Sequence, residues 1–326
     1  MKFVVLGAGA IGAYVGAGLA RGGADVTLIA RGAQLEALRS RGVRVLSPRG
    51  DFEAHPPATD DLAAIGEADV VFVGLKAYSL PELAPAIGAA LRPGAAIIAA
   101  QNGIPWWYFQ HEGGPLDGTV LESVDPGGVI SAAIPPEAVI GCVVFPSTEI
   151  AEPGVIHHID GTRFSIGEPD GMVSERCAAI SEAFRAGGLK APVDPKLREQ
   201  IWLKLVGNAA FNPASVLTGA TLGELGEVPQ MLALMRDVLA EGARVAEALG
   251  VLMTVSLDRR LEAGIAVGDH KTSMLMDYEA GKPLELDCMT GAIIEIARRL
   301  GVEVPRLETL DAAVRMADRK RQHLTR

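Results

Sequence analysis

The first twelve residues constrain the fold more than any other stretch. Residues Lys2 to Leu6 form an apolar run typical of a buried strand, and a glycine-rich segment follows at once. In a βαβ unit, the first glycine of such a segment permits a tight turn, the second lets the backbone approach a pyrophosphate, and the third allows close packing of the helix. The free N–H groups of the helix N-terminus then face the phosphates. The pattern predicts a Rossmann-type sheet that holds a dinucleotide through Gly7, Ala8, Gly9, Ala10, Ile11 and Gly12.

Arg31 indicates which dinucleotide binds. It ends the second predicted strand, Ala24 to Ala30, where an NAD-binding fold usually has an acidic residue for the ribose 2′-hydroxyl. An arginine accommodates a 2′-phosphate instead, so NADPH/NADP+ is the favoured cofactor. The alternative is an ordinary loop arginine, since Glu36 lies within reach in the next helix.

Two further apolar strands are each followed by a polar residue. Asp69 to Leu75 precedes Lys76, and Ala95 to Ala100 precedes Asn102. Ligands of open parallel sheets bind beyond the carboxyl ends of the strands. We therefore expect Arg31, Lys76 and Asn102 to gather at one edge with the glycine turn.

A second informative stretch runs from Ile201 to Pro213. Its apolar helical pattern carries Lys204, Asn208 and Asn212 at i, i+4 and i+8, which places them in one polar stripe. A helix that is apolar nearly all round does not present such a stripe to bulk water, so the stripe is expected to line a ligand cleft. The alternative is a core helix whose lysine extends to solvent.

The length of 326 residues suits two domains. We predict a Rossmann-type dinucleotide-binding domain over residues 1–194, closed by short strands within 138–167 and a helix over 174–186. An all-helical substrate and catalytic domain is predicted over residues 195–326. Its helices are expected to break at Asn212-Pro213, between Gly219 and Gly226, at Gly250 and over residues 281–283.

Composition excludes several classes of protein. Hydrophobic residues make up 49% of the chain and the net charge is -10, which argues against nucleic acid or an acidic membrane surface as the partner. Three dispersed cysteines favour a reducing compartment and no zinc site, and the adjacent His157 and His158 point to opposite faces of a strand. No metal is expected. Because no later apolar run reaches the roughly 18 residues of a membrane span, we expect a cytoplasmic protein.

Aromatic residues cluster directly after Asn102-Gly103. The run from Trp106 to Phe109 holds four of them, and the following stretch to Gly128 is rich in glycine and proline. Residues 106–128 are compatible with a substrate flap, a subunit contact or plain scaffold.

The chain resembles the ketopantoate reductase (2-dehydropantoate 2-reductase) family nearly end to end. The motifs in the family's order are the glycine turn, Leu75-Lys76, Gln101-Asn102-Gly103, Trp202-Leu-Lys204 with Asn208 and Asn212-Pro213, Gly223-Glu-Leu225, Ser273-Met274 and Gly281 with Glu285 and Asp287. The resemblance implies an α/β fold with a helical C-terminal domain. It implies Lys204 as proton donor, with Glu285 beside it at the catalytic centre. Further roles implied are substrate binding by Asn208, Asn212 and Ser273, cofactor and substrate contact by Asn102, and NADPH contact by Lys76 and Glu285.

The implied chemistry agrees with these residue types. Hydride delivered to a 2-oxo carbon leaves an alkoxide, which the Lys204 ammonium can stabilise and then protonate. The expected activity is NADPH-dependent reduction of 2-dehydropantoate, or of a related, more apolar 2-oxo acid, within pantothenate biosynthesis. The apolar alternative rests on the aromatic run and on Leu222, which stands where pantoate-forming relatives often carry another asparagine.

Two other functions remain as alternatives. A β-hydroxyacid dehydrogenase also pairs a glycine turn with a helical domain and a Lys-x-x-x-Asn spacing, but its usual glycine-rich substrate segment is missing. A non-catalytic NADPH-sensing protein would have no need of Lys204, Asn208, Asn212, Ser273 and Glu285 together. Besides a small-molecule substrate, the partner left open is a second copy of the chain in a homodimer.

Overall fold

The structure is a computed structural model that describes residues 1–324. Its largest sheet has seven strands in the order β11-β8-β7-β6-β1-β2-β5. All neighbouring pairs are parallel except β11 with β8. The strands are β1 (Lys2–Leu6), β2 (Asp25–Ile29), β5 (Ala58–Thr59), β6 (Val70–Val73), β7 (Ala96–Ala99), β8 (Val139–Val144) and β11 (Phe164–Gly167).

The strand order is that of a doubly wound dinucleotide-binding sheet. From β5 through β1 to β8 it matches the order 3-2-1-4-5-6, with the reversal of direction at β1. Strands β1, β6 and β7 are buried along almost their whole length, as apolar runs covered on both faces must be. The predicted Rossmann-type fold is confirmed.

A smaller four-stranded sheet lies on the other side of the first helix. Its order is β4-β3-β10-β9, from β3 (Val43–Leu46), β4 (Phe52–Ala54), β9 (Ser147–Glu152) and β10 (Val155–Asp160). The first helix, α1 (Ala10–Arg21), contacts strands of both sheets. Its residues Gly12 to Leu19 are all buried in consequence.

Helices surround the sheets and make up the C-terminal part of the chain. The helices that follow α1 before residue 197 are α2 (Gly32–Arg41), α3 (Leu80–Ala90), α4 (Val129–Ala133) and α5 (Glu175–Ala186). Those that follow are α6 (Leu197–Thr218), α7 (Leu222–Glu227), α8 (Pro229–Ala248), α9 (Leu257–Ile265), α10 (Ser273–Glu279), α11 (Ala292–Leu300) and α12 (Pro305–Leu324). A π-helical turn, Asp287–Gly291, precedes α11. Within residues 1–324, no helix combines the length and apolarity needed to cross a membrane.

The chain divides into two compact units. Unit 1 comprises residues 1–101, 105–112 and 125–197, and unit 2 comprises residues 102–104, 113–124 and 198–326. The second unit is helical apart from loops and the π-helical turn, as predicted. The boundary between residues 194 and 195 stays a prediction. Two short segments, 102–104 and 113–124, belong by their contacts to the helical unit although they lie early in the sequence.

The break predicted at Asn212-Pro213 is wrong. Helix α6 continues through Pro213 to Thr218, and every residue from Ala209 to Val216 is buried. A proline inside a helix removes one backbone hydrogen bond and crowds the preceding turn. Packing on all sides of this segment outweighs that local cost, which the sequence pattern does not reveal.

Candidate active site

The glycine turn of unit 1 has the geometry of a phosphate cradle. Gly7 has a φ of 91°, and the backbone N–H groups of Gly7 and Ala8 donate to Ile29 O at 3.1 and 2.9 Å. A Cβ on Gly12 would lie 3.1 Å from Gly7 C, whereas one on Gly9 would meet nothing within 4 Å. Only glycine therefore fits at residue 12, whereas the space beside Gly9 is open.

The N-terminus of α1 is available to an anion. Gly9 caps the helix without a side-chain hydrogen bond, and its first turn holds no acidic residue. Uncapped N–H groups and the helix dipole together favour a phosphate at this end. The residues from Gly7 to Gly12 thus fit the pyrophosphate of a dinucleotide.

Arg31 and Lys76 lie at the carboxyl edge of the large sheet. Arg31 follows β2 and is exposed, and Lys76 follows β6 and is half-buried. No hydrogen bond or ion pair within residues 1–324 holds the Arg31 guanidinium, so it is available to a 2′-phosphate. Gln101 ties the neighbouring strand ends together, since its Nε2 donates to Val73 O at 2.9 Å and to Leu75 O at 3.3 Å.

Three predicted residues come together in unit 2 around one amide. Lys204 Nζ donates to Asn102 Oδ1 at 2.7 Å, and Asn102 Nδ2 donates to Glu285 Oε2 at 3.4 Å. Glu285 is 6% exposed, and Lys204 and Asn102 are half-buried. An ammonium and a carboxylate thus share one amide, whose oxygen and nitrogen orient the two groups.

The residues predicted to bind the substrate differ in their surroundings. Asn208 is half-buried, one turn along α6 from Lys204, and no hydrogen bond from the described residues holds its amide. Asn212 is 4% exposed and places Nδ2 3.8 Å from Met289 Sδ. Ser273 lies exposed at the first position of α10, after Thr272, whose hydroxyl caps that helix. Asn208 is therefore the member of the stripe with an amide ready for a ligand.

The π-helical turn Asp287–Gly291 holds Asn102 from the other side. Ile104 N donates to Cys288 O at 2.8 Å, and a Cβ on Gly103 would lie 2.6 Å from Cys288 C. Gly103 has a φ of 82°, a conformation that strains other residues. Segment 102–104 is thus fastened to the turn that begins two residues after Glu285. π-helical turns often occur at functional sites.

Helix α12 in turn anchors this π-helical turn. Thr290 Oγ1 donates to Asp311 Oδ1 at 2.5 Å, and Arg315 donates to both Asp311 Oδ2 and Asp287 Oδ1 at 2.7 Å. Thr290 is fully buried. In the sequence, Asp287 stands out only as part of a motif, and Thr290, Asp311 and Arg315 do not stand out at all. Asp311 and Arg315 are related as i and i+4 on α12, but their separations of 21 and 28 residues from Thr290 and Asp287 follow no helical or strand period.

Arg260 also lacks a signal in the sequence. The pair Arg259-Arg260 has the pattern of an exposed helix face, but only Arg259 is exposed. Arg260 Nε donates to Leu203 O at 3.2 Å, and a Cβ on Gly207 would lie 2.7 Å from Arg260 Cζ. Burial lowers the pKa of this guanidinium from its ordinary value. It therefore packs against the helix that carries Lys204.

The aromatic run belongs to the interior of unit 1. Trp106, Trp107, Tyr108 and Phe109 are at most 5% exposed, and the Trp107 ring occupies the space beside Gly141 of β8. Burial of this kind supports the scaffold interpretation of the run.

The glycine-rich stretch after it is anchored at two points. The Glu295 carboxylate accepts from Glu122 N at 3.0 Å and from Ser123 N at 2.8 Å. Asp125, fully buried, accepts from Ile130 N at 2.7 Å at the start of α4. Two anchoring carboxylates favour a fixed surface excursion over a substrate flap.

The paired histidines have separate structural roles. His158 is 1% exposed, stacks on Tyr14 with ring centroids 4.6 Å apart, and places Nδ1 2.8 Å from Ser47 Oγ. His157 points the other way and lies 3.0 Å from Glu149 Oε1. In the part of the chain that the structure describes, no group of three or more His, Cys, Asp or Glu residues is arranged to hold a metal ion.

Most of the chain matches two family models in succession. Residues 3–171 match the model of ketopantoate reductase PanE/ApbA, and residues 196–318 match that of the ketopantoate reductase PanE/ApbA C-terminal region. The chain belongs to the ketopantoate reductase family. It is 42% identical over 316 residues to the 2-dehydropantoate 2-reductase of Mesorhizobium japonicum, covering 97% of both chains. The PanE/ApbA family ketopantoate reductase of Ralstonia eutropha JMP134 has a TM-score of 0.85 at 29% identity, covering 99% of this chain and 100% of that one.

Two more distant structures share the fold of this ketopantoate reductase family member. They are D-mandelate dehydrogenase in a ternary complex with NADH and anilino(oxo)acetate, at 19% identity and a TM-score of 0.82, and the dimeric ketopantoate reductase of Staphylococcus aureus, at 20% identity and a TM-score of 0.73. They cover 98% of this chain and 99% or 100% of their own.

Membership confirms the predicted enzyme class. The chain is an oxidoreductase of the 2-dehydropantoate 2-reductase type, acting on CH–OH groups, and its family uses a nicotinamide cofactor. The roles of single residues remain predictions, although the predicted group of Lys204, Asn102 and Glu285 is in hydrogen-bond contact in the structure.

Proposed function

We propose that this enzyme reduces a 2-oxo acid to a 2-hydroxy acid with NADPH, and that Lys204 donates the proton. The leading substrate is 2-dehydropantoate, which would be reduced to pantoate. The observation that carries the proposal is the contact of Lys204 with Asn102, and of Asn102 with Glu285, in unit 2. It supplies an oriented proton donor beside an amide and a carboxylate.

The cofactor assignment rests on unit 1. The glycine turn with its uncapped helix N-terminus would hold the pyrophosphate, and the exposed Arg31 guanidinium would hold the 2′-phosphate. Lys76 at the end of β6 would add a second positive charge at this edge. When bound, the nicotinamide supplies the hydride that reduces the carbonyl carbon.

The residues of unit 2 would handle the proton and the developing charge. The Lys204 ammonium stabilises the alkoxide formed at the former carbonyl oxygen and then transfers a proton to it. The Asn102 amide holds the ammonium in place and is itself oriented by the buried Glu285. Asn208 presents an amide one turn further along the same rigid helix, where it can orient the substrate.

The substrate side of the proposal includes a more apolar 2-oxo acid. Leu222, half-buried at the start of α7, offers no polar group where pantoate-forming relatives often carry an asparagine. The aromatic run adds no support, because its rings are buried in unit 1. The ligand of the distant D-mandelate dehydrogenase complex, anilino(oxo)acetate, joins an aromatic ring to an oxo-carboxylate group.

A panel of 2-oxo acids tests the proposal. The purified enzyme is mixed with NADPH and either 2-dehydropantoate, its deoxy analogue, a branched-chain 2-oxo acid or phenylglyoxylate, and loss of absorbance of the reduced cofactor is followed. We expect turnover of 2-dehydropantoate and comparable or better kcat/KM for a more apolar acid. A site built to hydrogen-bond a substrate hydroxyl rejects analogues without it by about 10⁴-fold, so strong preference for 2-dehydropantoate would contradict the apolar extension.

We propose further that the enzyme is cytoplasmic and forms a homodimer. The cysteines Cys142, Cys177 and Cys288 are buried and form no disulfide with one another, which suits a reducing compartment. Cell fractionation tests the first part, and sedimentation velocity at micromolar concentration tests the second.

A further inference from the structure

We infer that Arg260 binds the carboxylate of the substrate, and that Gly207 provides the space in which its guanidinium lies. This deepens the proposed function and rests on it. The residue would recognise the acid group of a 2-oxo acid, whereas Lys204 acts on the neighbouring carbonyl oxygen.

The Arg260 guanidinium is a half-buried cation without an anion. Of its five N–H donors, only Nε–H is used, in the 3.2 Å bond to Leu203 O. Within residues 1–324 it forms no ion pair, and none of its remaining donors has a hydrogen-bond acceptor. Burying part of a guanidinium is costly unless an anion accompanies it, so the surroundings of Arg260 favour a bound carboxylate.

Gly207 makes this position of the guanidinium possible. A side chain at residue 207 would overlap the guanidinium, with Cβ 2.7 Å from Cζ and 2.8 Å from Nε. Glycine in the middle of a helix destabilises the helix relative to alanine. Helix α6 therefore carries a weak helix former at residue 207, a position against which the guanidinium packs.

The position of Gly207 brings Arg260 close to Lys204. Lys204 and Gly207 are related as i and i+3 on α6, and such positions lie roughly 5–6 Å apart at Cβ. The guanidinium contacts the Gly207 position, while the Lys204 side chain ends at Asn102. The Arg260 guanidinium, which α9 supplies, thus packs against α6 on the row next to that of Lys204, and both cations belong to unit 2.

This pair of cations matches the charges of a 2-oxo acid during reduction. The substrate carries a permanent carboxylate, and a second negative charge develops on the adjacent carbonyl oxygen. A planar guanidinium with two parallel N–H groups suits the carboxylate, and an ammonium that can lose its proton suits the alkoxide. Separate cations for the two groups would account for both binding and proton transfer.

The experiment compares a 2-oxo acid with its methyl ester. The acid is the best substrate of the panel, and kcat and KM for acid and ester are measured with saturating NADPH in the wild-type enzyme, Arg260→Met and Arg260→Lys. We expect Arg260→Met to raise KM for the acid at least about 30-fold, the usual worth of a charged hydrogen-bonded pair, with kcat changed far less. The ester should be affected about threefold or less, so the preference for acid over ester collapses.

Two further variants separate binding from packing. Arg259→Met removes the exposed neighbouring charge on α9 and should leave kcat and KM unchanged for both the acid and the ester. Gly207→Ala keeps the arginine but displaces its guanidinium, so it should raise KM for the acid about 5- to 10-fold or more. In the Arg260→Met background, Gly207→Ala should add no further loss for the acid, because the group that it displaces is already gone.

The outcomes distinguish this inference from the proposed function. If the wild-type enzyme turns over 2-oxo acids but Arg260→Met lowers kcat/KM equally for acid and ester, the residue only supports packing and the inference is wrong. If Arg260→Met does not fold, an unchanged acid-to-ester preference in both Arg260→Lys and Gly207→Ala overturns the inference in the same way. If the wild-type enzyme reduces no 2-oxo acid, the proposed function and this inference both fail.

Discussion

At the scale of the residue, the Lys204 side chain is held in place by specific contacts within the protein. Its ammonium is half-buried on an apolar helix and is held 2.7 Å from Asn102 Oδ1. This amide in turn contacts the buried Glu285, so the lysine does not depend on solvent to hold its position. The arrangement predicts that the side chain acts on the reacting oxygen rather than on the cofactor phosphates.

Lys204→Ala should therefore lower kcat by about 10² to 10⁴, the usual contribution of a positioned proton donor. The dissociation constant of NADPH, measured by fluorescence titration, should remain within about twofold of the wild-type value. Lys320→Ala, an exposed lysine of α12, serves as control and should change neither quantity. A small change in kcat together with a large loss of NADPH affinity would assign the lysine to the cofactor instead.

Arg31 is the second residue with a separable role. Its guanidinium is exposed at the end of β2 and free to meet a 2′-phosphate. We expect the wild-type enzyme to favour NADPH over NADH by at least about tenfold in kcat/KM, since one charged contact is worth roughly 1.4 kcal/mol or more. Arg31→Asp should abolish that preference, whereas Arg49→Asp, at another exposed arginine, should preserve it. An unchanged ratio in Arg31→Asp would disprove the assignment.

At the scale of the element, the π-helical turn Asp287–Gly291 is the part that organises unit 2 around the site. It accepts a hydrogen bond from Ile104 and begins two residues after Glu285. Thr290 bonds to Asp311 of α12, and Arg315 of α12 bonds to Asp287. The turn therefore sets the position of Asn102 at one end and of Glu285 at the other. Gly103 is the contact through which the two segments meet.

Gly103→Ala tests this contact. The new methyl group would meet the Cys288 backbone, and the φ of 82° would be strained. We expect a loss of at least about 1 kcal/mol in the free energy of unfolding and a fall in kcat of about tenfold or more as Asn102 moves. Gly113→Ala is the matched control, since Gly113 has a φ of 74° but open space around it. Equal effects of the two substitutions on kcat would show that the Cys288 contact does not position Asn102.

At the scale of the whole molecule, stability against unfolding at acid pH depends on carboxylates such as Glu168. Burial alone would raise the pKa of Glu168, but hydrogen bonds from Arg176 and Ser174 outweigh burial and hold that pKa below its ordinary value. Because the pKa of Glu168 is lower in the folded than in the unfolded state, its charge stabilises the fold. This contribution to the free energy of unfolding is fully present above the unfolded-state pKa of about 4.5. It is lost as the pH falls through the folded-state pKa.

Glu168→Gln should cost about 1–3 kcal/mol in the free energy of unfolding at pH 7. The difference from wild type should shrink as the pH is lowered from about 5 to 3, because the wild-type carboxylate becomes protonated there. Urea unfolding at a series of pH values measures this trend. Glu182→Gln, which breaks an exposed ion pair with Arg185, should cost about 1 kcal/mol or less at each pH. A pH-independent difference for Glu168→Gln would contradict the role of its charge.

Local sequence patterns were sufficient to predict several elements of the fold and part of the candidate site. The strand of residues 2–6, the glycine turn and helix α1 are visible in the sequence because spacing and glycine placement act over a few residues. The parallel direction of the strands follows from the same βαβ pattern, whereas their order is a finding of the structure. The polar stripe of Lys204, Asn208 and Asn212 is likewise a property of one helix, and the resemblance to the family joined it to Asn102 and Glu285.

Tertiary structure decided what depends on residues far apart in the chain. It continued α6 through Pro213, buried the aromatic run in unit 1, assigned residues 102–104 to the helical unit and placed Arg260 against Gly207. Each of these outcomes arises from packing between segments that have no common period. Burial and charge compensation across tens to hundreds of residues outweigh propensities worth about 1 kcal/mol each, and a linear pattern contains no measure of that competition.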